Sequence, residues 1–231
     1  MRKLVDKKTG LVWYAVDSSD FREDGSLKTE ISKDLRDLKL EMNDWKTECG
    51  IKKFITWEDV GDYIFGQNHI KNMYFAFEDG KFSGVSVIQQ NQGFDEDRFC
   101  HHIKQCERTF SYDPRFLSEE KARIALINAE QDVSNNIYYK YLIVAPDCRG
   151  KGIGTRSVMS VMDKNNTLFF SGTENINVTH CRINYANKPS QKVFERNGFG
   201  RLYDHGMGEP DEMFDYYYVA DNCEFDDLLM I

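Results

Sequence analysis

Leu142-Ile143-Val144-Ala145-Pro146-Asp147-Cys148-Arg149-Gly150-Lys151-Gly152-Ile153-Gly154-Thr155 is the stretch on which the reading of this 231-residue chain turns. The run from Ile137 to Val144 is β-branched and aromatic, which predicts a buried strand ending at Pro146. Glycines then open a helix carrying Val158, Val161 and Met162 on one face. At such a junction several backbone N–H groups point at one spot, and the helix dipole adds positive potential there. Arg149 and Lys151 add full charges, so the segment has the makings of a pyrophosphate cradle. Glycine suits it because a side chain would hold the phosphates away from the backbone. A turn of purely structural purpose is the alternative.

Two familiar phosphate loops do not fit. A Walker A loop requires glycine at position 145 and Ser or Thr after the lysine, where this chain has Ala145 and Gly152. The dinucleotide pattern G-x-G-x-x-G, begun at Gly150, fails at Thr155. The stretch instead resembles motif A of the GNAT superfamily of N-acetyltransferases, Arg/Gln-x-x-Gly-x-Gly/Ala, with Arg149, Gly152 and Gly154 filling it behind a Leu-x-Val-x-Pro strand end. Downstream, Asn187-x-x-Ser190-x-x-x-Phe194-x-x-x-Gly198-Phe199 resembles motif B of the same family, commonly Asn-x-x-Ala-x-x-x-Tyr-x-x-x-Gly-Phe. The resemblance is strong from Ile137 to Phe199 and extends to a hairpin at Met73 to Ile88. The first 70 residues and the stretch 91–136 match only in kind.

The remaining elements read as follows. Leu4 to Val16 alternates around Lys8 to Gly10, as a hairpin or a single strand. Leu27, Ile31, Leu35, Leu38, Met42 and Trp45 recur at helical spacing and predict a long helix packed on a sheet. Thr56 with Asp59 resembles a cap for a short helix reaching about Phe65. Asp79-Gly80 supplies the positive φ angles of a tight hairpin turn between Met73–Phe77 and Phe82–Ile88. Ser118 to Asn128 could form a helix in an otherwise irregular insertion. Ile176 to Tyr185 predicts a strand, Pro189 to Asn197 a helix closed by Gly198, and Arg201 to His205 and Met213 to Val219 two further strands. The fold class expected is α/β: a GNAT-like mixed, mostly antiparallel central sheet with splayed parallel strands 4 and 5 and flanking helices. A single domain over residues 1–231, with an insertion at about 91–136, accommodates it.

The resemblance implies an N-acetyltransferase moving an acetyl group from acetyl-CoA, as co-substrate, to a primary amine by direct attack in a ternary complex. It implies that Leu142 and Val144 offer backbone groups to the pantetheine arm and thioester. Likewise, the amides of Arg149, Gly150, Lys151, Gly152, Ile153, Gly154 and Thr155 would hold the pyrophosphate, Asn187 would bond the arm, and Phe194 would pack beside the sulfur. An amine with a free pKa near about 10.4 needs a base or a water relay at neutral pH. Relatives often carry a glutamate on the strand before the loop. Tyr138 stands at that position here, with Lys140 next on the same face and Glu130 and Asp132 just upstream. A motif B tyrosine often protonates the leaving thiolate; Phe194 cannot, which leaves Tyr185 as another donor. Tyr138, Glu130 and Tyr185 are therefore the candidate catalytic residues. A non-catalytic acyl-CoA-binding sensor or interaction module of the same fold is the alternative, and an enzyme using a longer acyl chain is a third.

Other residues carry two readings each. Tyr138, Tyr139, Tyr141 and Tyr216 to Tyr218 could line an amine pocket by cation–π contact, or be half-buried strand residues. His180 could be a base or an ordinary strand histidine. The six cysteines lack the close, regular spacing of a disulfide scaffold. Cys100, His101, His102 and Cys106 gather zinc-ligand types but lack a C-x-x-C knuckle, so no metal is expected and free thiols on an irregular segment are the better reading. The formal net charge of -8 argues against nucleic acid and favours cationic ligands such as amines. No apolar run approaches membrane-spanning length, and Asp6 to Gly10 interrupt any signal-peptide core. A cytoplasmic protein without membrane partners is expected, and a homodimer stays open.

Overall fold

A computed structural model describes residues 1–45, 57–66, 69–90, 116–118, 120–122, 136–163, 168–169, 178–201 and 213–219. Its strands are β1 (Arg2–Val5), β2 (Val12–Ala15), β3 (Met73–Glu78), β4 (Lys81–Gln90), β5 (Asn136–Val144), β6 (Val178–Asn184), β7 (Gly200–Arg201) and β8 (Met213–Val219). Its α-helices are α1 (Thr29–Asn43), α2 (Trp57–Gly66), α3 (Ile153–Met162) and α4 (Lys188–Arg196). The strands form one sheet in the order β1-β2-β3-β4-β5-β6-β8-β7. This is the mixed α/β sheet that the motifs implied. Neighbours with a described register run antiparallel except β5 and β6, which pair in parallel through Asn136↔Val178, Ile137↔Thr179 and Tyr138↔His180. Beyond Tyr138, β5 has no described register partner in β6. The N-terminal segment forms two strands rather than one, so the parallel pair counted fourth and fifth from sequence is β5 and β6.

The chain forms two compact units: Met1–Val87 with Tyr141–Phe170, and Ile88–Lys140 with Ser171–Ile231. In the first, α1 buries Ile31, Leu35, Leu38 and Met42 against Phe75, Phe82 and Val85 of β3 and β4. Each of those helix residues is three or four positions from the next, so one stripe faces the sheet. The helix is shorter than its apolar pattern. Leu27 lies ahead of it, bridged to Phe21, and Trp45 lies beyond it with its ring 5.2 Å from that of Phe82. The β3–β4 turn is as expected, with Asp79 at φ 50° and Gly80 at φ 77°. Thr56, expected as the α2 cap, lies outside the described residues. On β4, a Cβ added to Gly84 would sit 2.5 Å from the Ile143 carbonyl oxygen. Only glycine lets β4 and β5 run this close. The Ala145 N–H also donates to Ser83 O at 3.0 Å.

In the second unit, β6 lies between β5 and β8, and α4 packs through Phe194. That ring makes edge contacts with Tyr139 (5.3 Å) and Phe199 (5.0 Å). Gly198, at φ 84°, closes α4 as expected. Of the strand expected at Arg201 to His205, Arg201 is in β7 and the rest lies outside the described residues, as does most of the Ser118–Asn128 helix. β5 is also less buried than its apolar composition suggests: Ile137, Tyr139 and Ile143 are buried, whereas Tyr138, Tyr141, Leu142 and Val144 are half-buried. Alternation along a strand turns successive side chains to opposite faces, and here the two faces are not equally covered.

Candidate functional site

β5 delivers the chain to Ala145, and a short 3-10 turn, Pro146–Cys148, redirects it. The turn forms because Pro146 has the fixed φ of a first helical residue. Cys148 N–H donates to Ala145 O at 2.9 Å and Arg149 N–H to Pro146 O at 3.3 Å. Buried Cys148 anchors it. Gly150 (φ 75°) and Gly152 (φ 80°) then both adopt the left-handed conformation, and Gly152 is the N-cap of α3. An L side chain at either would be strained by roughly 1–2 kcal/mol. A Cβ on either would meet no atom within 4 Å, so the space above both glycines is open.

The helical ladder begins when Arg156 N–H donates to Gly152 O at 3.0 Å. The amides of Ile153 and Gly154 precede it, at the positive end of the helix dipole. Arg149 and Lys151 are exposed beside them, and Arg149 Nε donates to Val144 O at 3.3 Å, which fixes that cation against the end of β5. The result is an exposed loop with open access, two cations and consecutive amides at a helix start, a geometry suited to an anion. Asp147, the nearest carboxylate in sequence, is ion-paired with Lys81 of β4.

Within the second unit, Asn187 caps α4: its Oδ1 accepts from Ser190 N–H at 3.2 Å. That bond uses the carbonyl oxygen, leaving the amide nitrogen as the part of this side chain able to donate to a ligand. Gln191 secures the same corner, its Nε2 donating to Asn184 O (3.1 Å) and Tyr185 O (2.8 Å). Lys188 Nζ lies 3.6 Å from the centre of the Tyr185 ring. Phe194 is a core residue of this unit.

An aromatic row crosses β5, β6 and β8. The His180 ring lies 4.9 Å from that of Tyr138 and 5.5 Å from that of Tyr217, nearly parallel to the latter. Burial draws the His180 pKa down to about 4, against a smaller upward pull from Asp215, so the imidazole is neutral at pH 7. Burial also raises the Tyr138 phenol above its ordinary value. Tyr138 therefore keeps its proton at neutral pH and can donate a hydrogen bond, while His180 has a lone pair to accept one. Tyr139, Tyr216 and Tyr217 are buried in the core, so among the tyrosines considered for a cation–π pocket the strand reading describes these three. Glu130, Asp132 and the Cys100–Cys106 cluster lie outside the described residues.

The sequence pattern of the Acetyltransferase (GNAT) family matches residues 36–199, which contain the Arg149–Thr155 loop and α4. The chain belongs to the GNAT acetyltransferase family. It is accordingly an acyltransferase, of a family whose acyl donor is acetyl-CoA. Solved acetyltransferase structures resemble the chain at low identity. A GNAT-family acetyltransferase from Streptococcus pneumoniae is 10% identical, with a TM-score of 0.46 over 90% of this chain and 98% of that one. An acetyltransferase from Thermus thermophilus is 12% identical, with a TM-score of 0.43 over 91% and 97%. A ribosomal-protein-alanine N-acetyltransferase from Brucella melitensis is 14% identical, with a TM-score of 0.45 over 81% and 95%. No curated protein matches the chain in sequence.

Sequence reasoning passed over what surrounds the loop. Gly84 carried a local signal, as a glycine interrupting a strand. The bonds of Arg156 to Thr9 and Glu78, and of Ser160 to Asp6, carried none, because the partners are separated by |i−j| of 147, 78 and 154. Among the described residues no helix is long and apolar enough to cross a membrane.

Proposed function

We propose that this GNAT acetyltransferase transfers the acetyl group of acetyl-CoA to a primary amine, on a small molecule or a protein, by direct attack in a ternary complex. The observation that carries the reading is the pair of left-handed glycines, Gly150 and Gly152, with open space above both at the start of α3. In this reading the amides of Arg149 to Thr155 hold the pyrophosphate, and Arg149 and Lys151 balance its charge. Backbone groups of Leu142 and Val144 position the arm and thioester, the Asn187 amide donates to the arm, and Phe194 serves mainly as core.

Acetyl-CoA supplies an activated thioester carbonyl; the protein's part is to hold it beside the amine and stabilise charge. Tyr138, protonated at neutral pH, suits donation to the departing thiolate better than proton removal from the amine. Glu130, with Asp132 close by in sequence, is the carboxylate to act as base through water, and Tyr185 the second donor. A cationic amine acceptor fits the net charge of -8. One catalytic domain spanning residues 1–231, with 91–136 inserted in it, is the organisation this reading assumes.

The test is calorimetric titration of wild type and Gly152→Glu with acetyl-CoA and desulfo-CoA. The reading expects micromolar binding to wild type, lost in the variant, whose carboxylate would project into the open space above the loop. A panel of amines should then release free thiol from acetyl-CoA above the blank. Absent binding to wild type would sink the reading; tight binding with no thiol release would restrict the protein to acyl-CoA recognition.

A further inference from the structure

The turn between β1 and β2 is laid along one face of α3. Arg156 Nη1 donates to Thr9 O at 3.0 Å, and Nη2 pairs with Glu78 Oε1 at the end of β3. One turn further along α3, buried Ser160 bonds through Oγ to Asp6 Oδ2 and lies 2.8 Å from Thr9 Oγ1. The turn beyond that brings Asp163 to Lys8 Nζ at 3.8 Å. Positions 156 and 160 share a face of the helix, and Asp163 follows as its C-cap. Apart from Glu78, their partners, Asp6, Lys8 and Thr9, sit in a single turn.

That turn is itself rigid. Asp6 is buried, and its Oδ1 accepts from Lys8 N–H (2.9 Å) and Thr9 N–H (3.1 Å). Gly10, at φ 75°, completes it, and a Cβ there would lie 3.9 Å from Arg156 Nη1. Burying a carboxylate and two hydroxyls is costly unless each is satisfied, and here they satisfy one another. Such a network defines one geometry more sharply than apolar packing would.

We infer that Arg156, clamped by Glu78 and by the Thr9 carbonyl, is a positioning residue for the Arg149–Thr155 loop, so that the N-terminal hairpin tunes affinity for acetyl-CoA. The hairpin precedes the family-matched residues, which begin at position 36. The inference rests on the pyrophosphate reading of the loop. Arg156 is the residue whose N–H opens the α3 ladder at Gly152 O, so the clamp acts at the turn that sets the direction of the loop amides. A rigid helix carries that constraint over a single 5.4 Å turn. The bond to Glu78 also neutralises the Arg156 charge, leaving Arg149 and Lys151 as the loop's own cations.

Desulfo-CoA affinity, and KM and kcat with acetyl-CoA and whichever amine the panel identifies, are measured on wild type, Arg156→Met, Arg156→Lys and Glu78→Gln. Melting and far-UV circular dichroism confirm that each variant is folded. The expected result is at least tenfold weaker binding in Arg156→Met, partial recovery in Arg156→Lys, and a raised KM for acetyl-CoA with kcat retained at saturation. A merely structural role would instead reduce the active fraction, lowering kcat and leaving KM unchanged. Glu78→Gln keeps the shape of the acceptor, so it carries the test should Arg156→Met fail to fold. Positioning expects weaker binding from it. Unchanged binding would overturn the inference, and tighter binding would overturn it by showing that Glu78 merely masks a phosphate-attracting cation. Gly152→Glu, run alongside, separates the two claims: if wild type binds and Gly152→Glu does not, the loop reading stands whatever Arg156 does.

Discussion

Replacing His180 with phenylalanine should flatten the acid side of the protein's stability profile. In the folded chain the imidazole is buried between Tyr138 and Tyr217, and its pKa falls from 6.5 to about 4. Burial is the main cause. The Asp215 carboxylate pulls the other way, and the Arg182 guanidinium, bonded to Asp215 at 2.7 Å, reinforces the drop. Because the folded pKa is depressed, between about pH 6.5 and 4 the unfolded chain holds a proton that the folded chain does not. Stability from this group is therefore fully present above the unfolded value and is lost as pH falls toward the folded one. At about 1.36 kcal/mol per pH unit, the interval from 6.5 to about 4 amounts to about 3 kcal/mol. Phenylalanine keeps a flat ring in the row but cannot titrate. Urea unfolding at a series of pH values, on wild type and His180→Phe, measures the difference. Any packing penalty of the variant is independent of pH and shifts its whole curve, and carboxylates titrating elsewhere are common to both proteins. The gap between the curves should close by about 3 kcal/mol from pH 7 to pH 4. Parallel curves over that range would refute the account of His180 as a buried neutral imidazole, and His180→Gln should repeat the result.

Three more outcomes follow from particular contacts. Gly84→Ala should lower stability by about 1–3 kcal/mol, read as a fall in melting temperature, because its Cβ would be driven to 2.5 Å from the Ile143 carbonyl, a backbone atom that can yield only by moving a strand; an unchanged melting temperature would mean β4 and β5 are not held this close. Asn187→Ala should cost about 1 kcal/mol through loss of the α4 cap, whereas Asn187→Asp should keep the cap and the stability. If the side-chain amide donates to acetyl-CoA, the aspartate variant binds desulfo-CoA more weakly despite its intact fold, and equal affinity would leave Asn187 a purely structural role. Cys148 and Cys181 are buried and free, and burial raises the Cys181 thiol well above its ordinary value. Converting either to serine should leave the number of thiols titrated in the native protein unchanged. A native titre that drops by one would show that site to be accessible.

The parts of this protein legible from sequence were those whose cause is local. Gly198 occurs where the end of a helix needs a positive φ, and its neighbours reveal that need without reference to the rest of the chain, whereas the positive φ of Gly150 and Gly152 appears only in the structure. The same holds for the Asp79-Gly80 turn, the stripe Ile31, Leu35, Leu38 and Met42, and the helix read from about Pro189, which the structure opens one residue earlier, at Lys188. Through these the loop and the helix behind it could be read, and the two motif resemblances added the family. Tertiary structure decided what depends on partners far apart in the chain. A tyrosine-rich strand looks alike whether its rings line a pocket or fill a core, and only packing against β6, β8 and α4 put Tyr139, Tyr216 and Tyr217 inside. His180 is an unremarkable strand histidine until two rings from other strands close over it and draw its pKa to about 4. Asp6, Thr9, Glu78, Arg156 and Ser160 are ordinary polar residues in one dimension. They become one network, buried at Asp6, Thr9 and Ser160 and half-buried at Glu78 and Arg156, because a hairpin turn, a strand end and a helix meet in space, where a lower dielectric makes unpaired polar atoms costly and satisfied ones geometrically demanding.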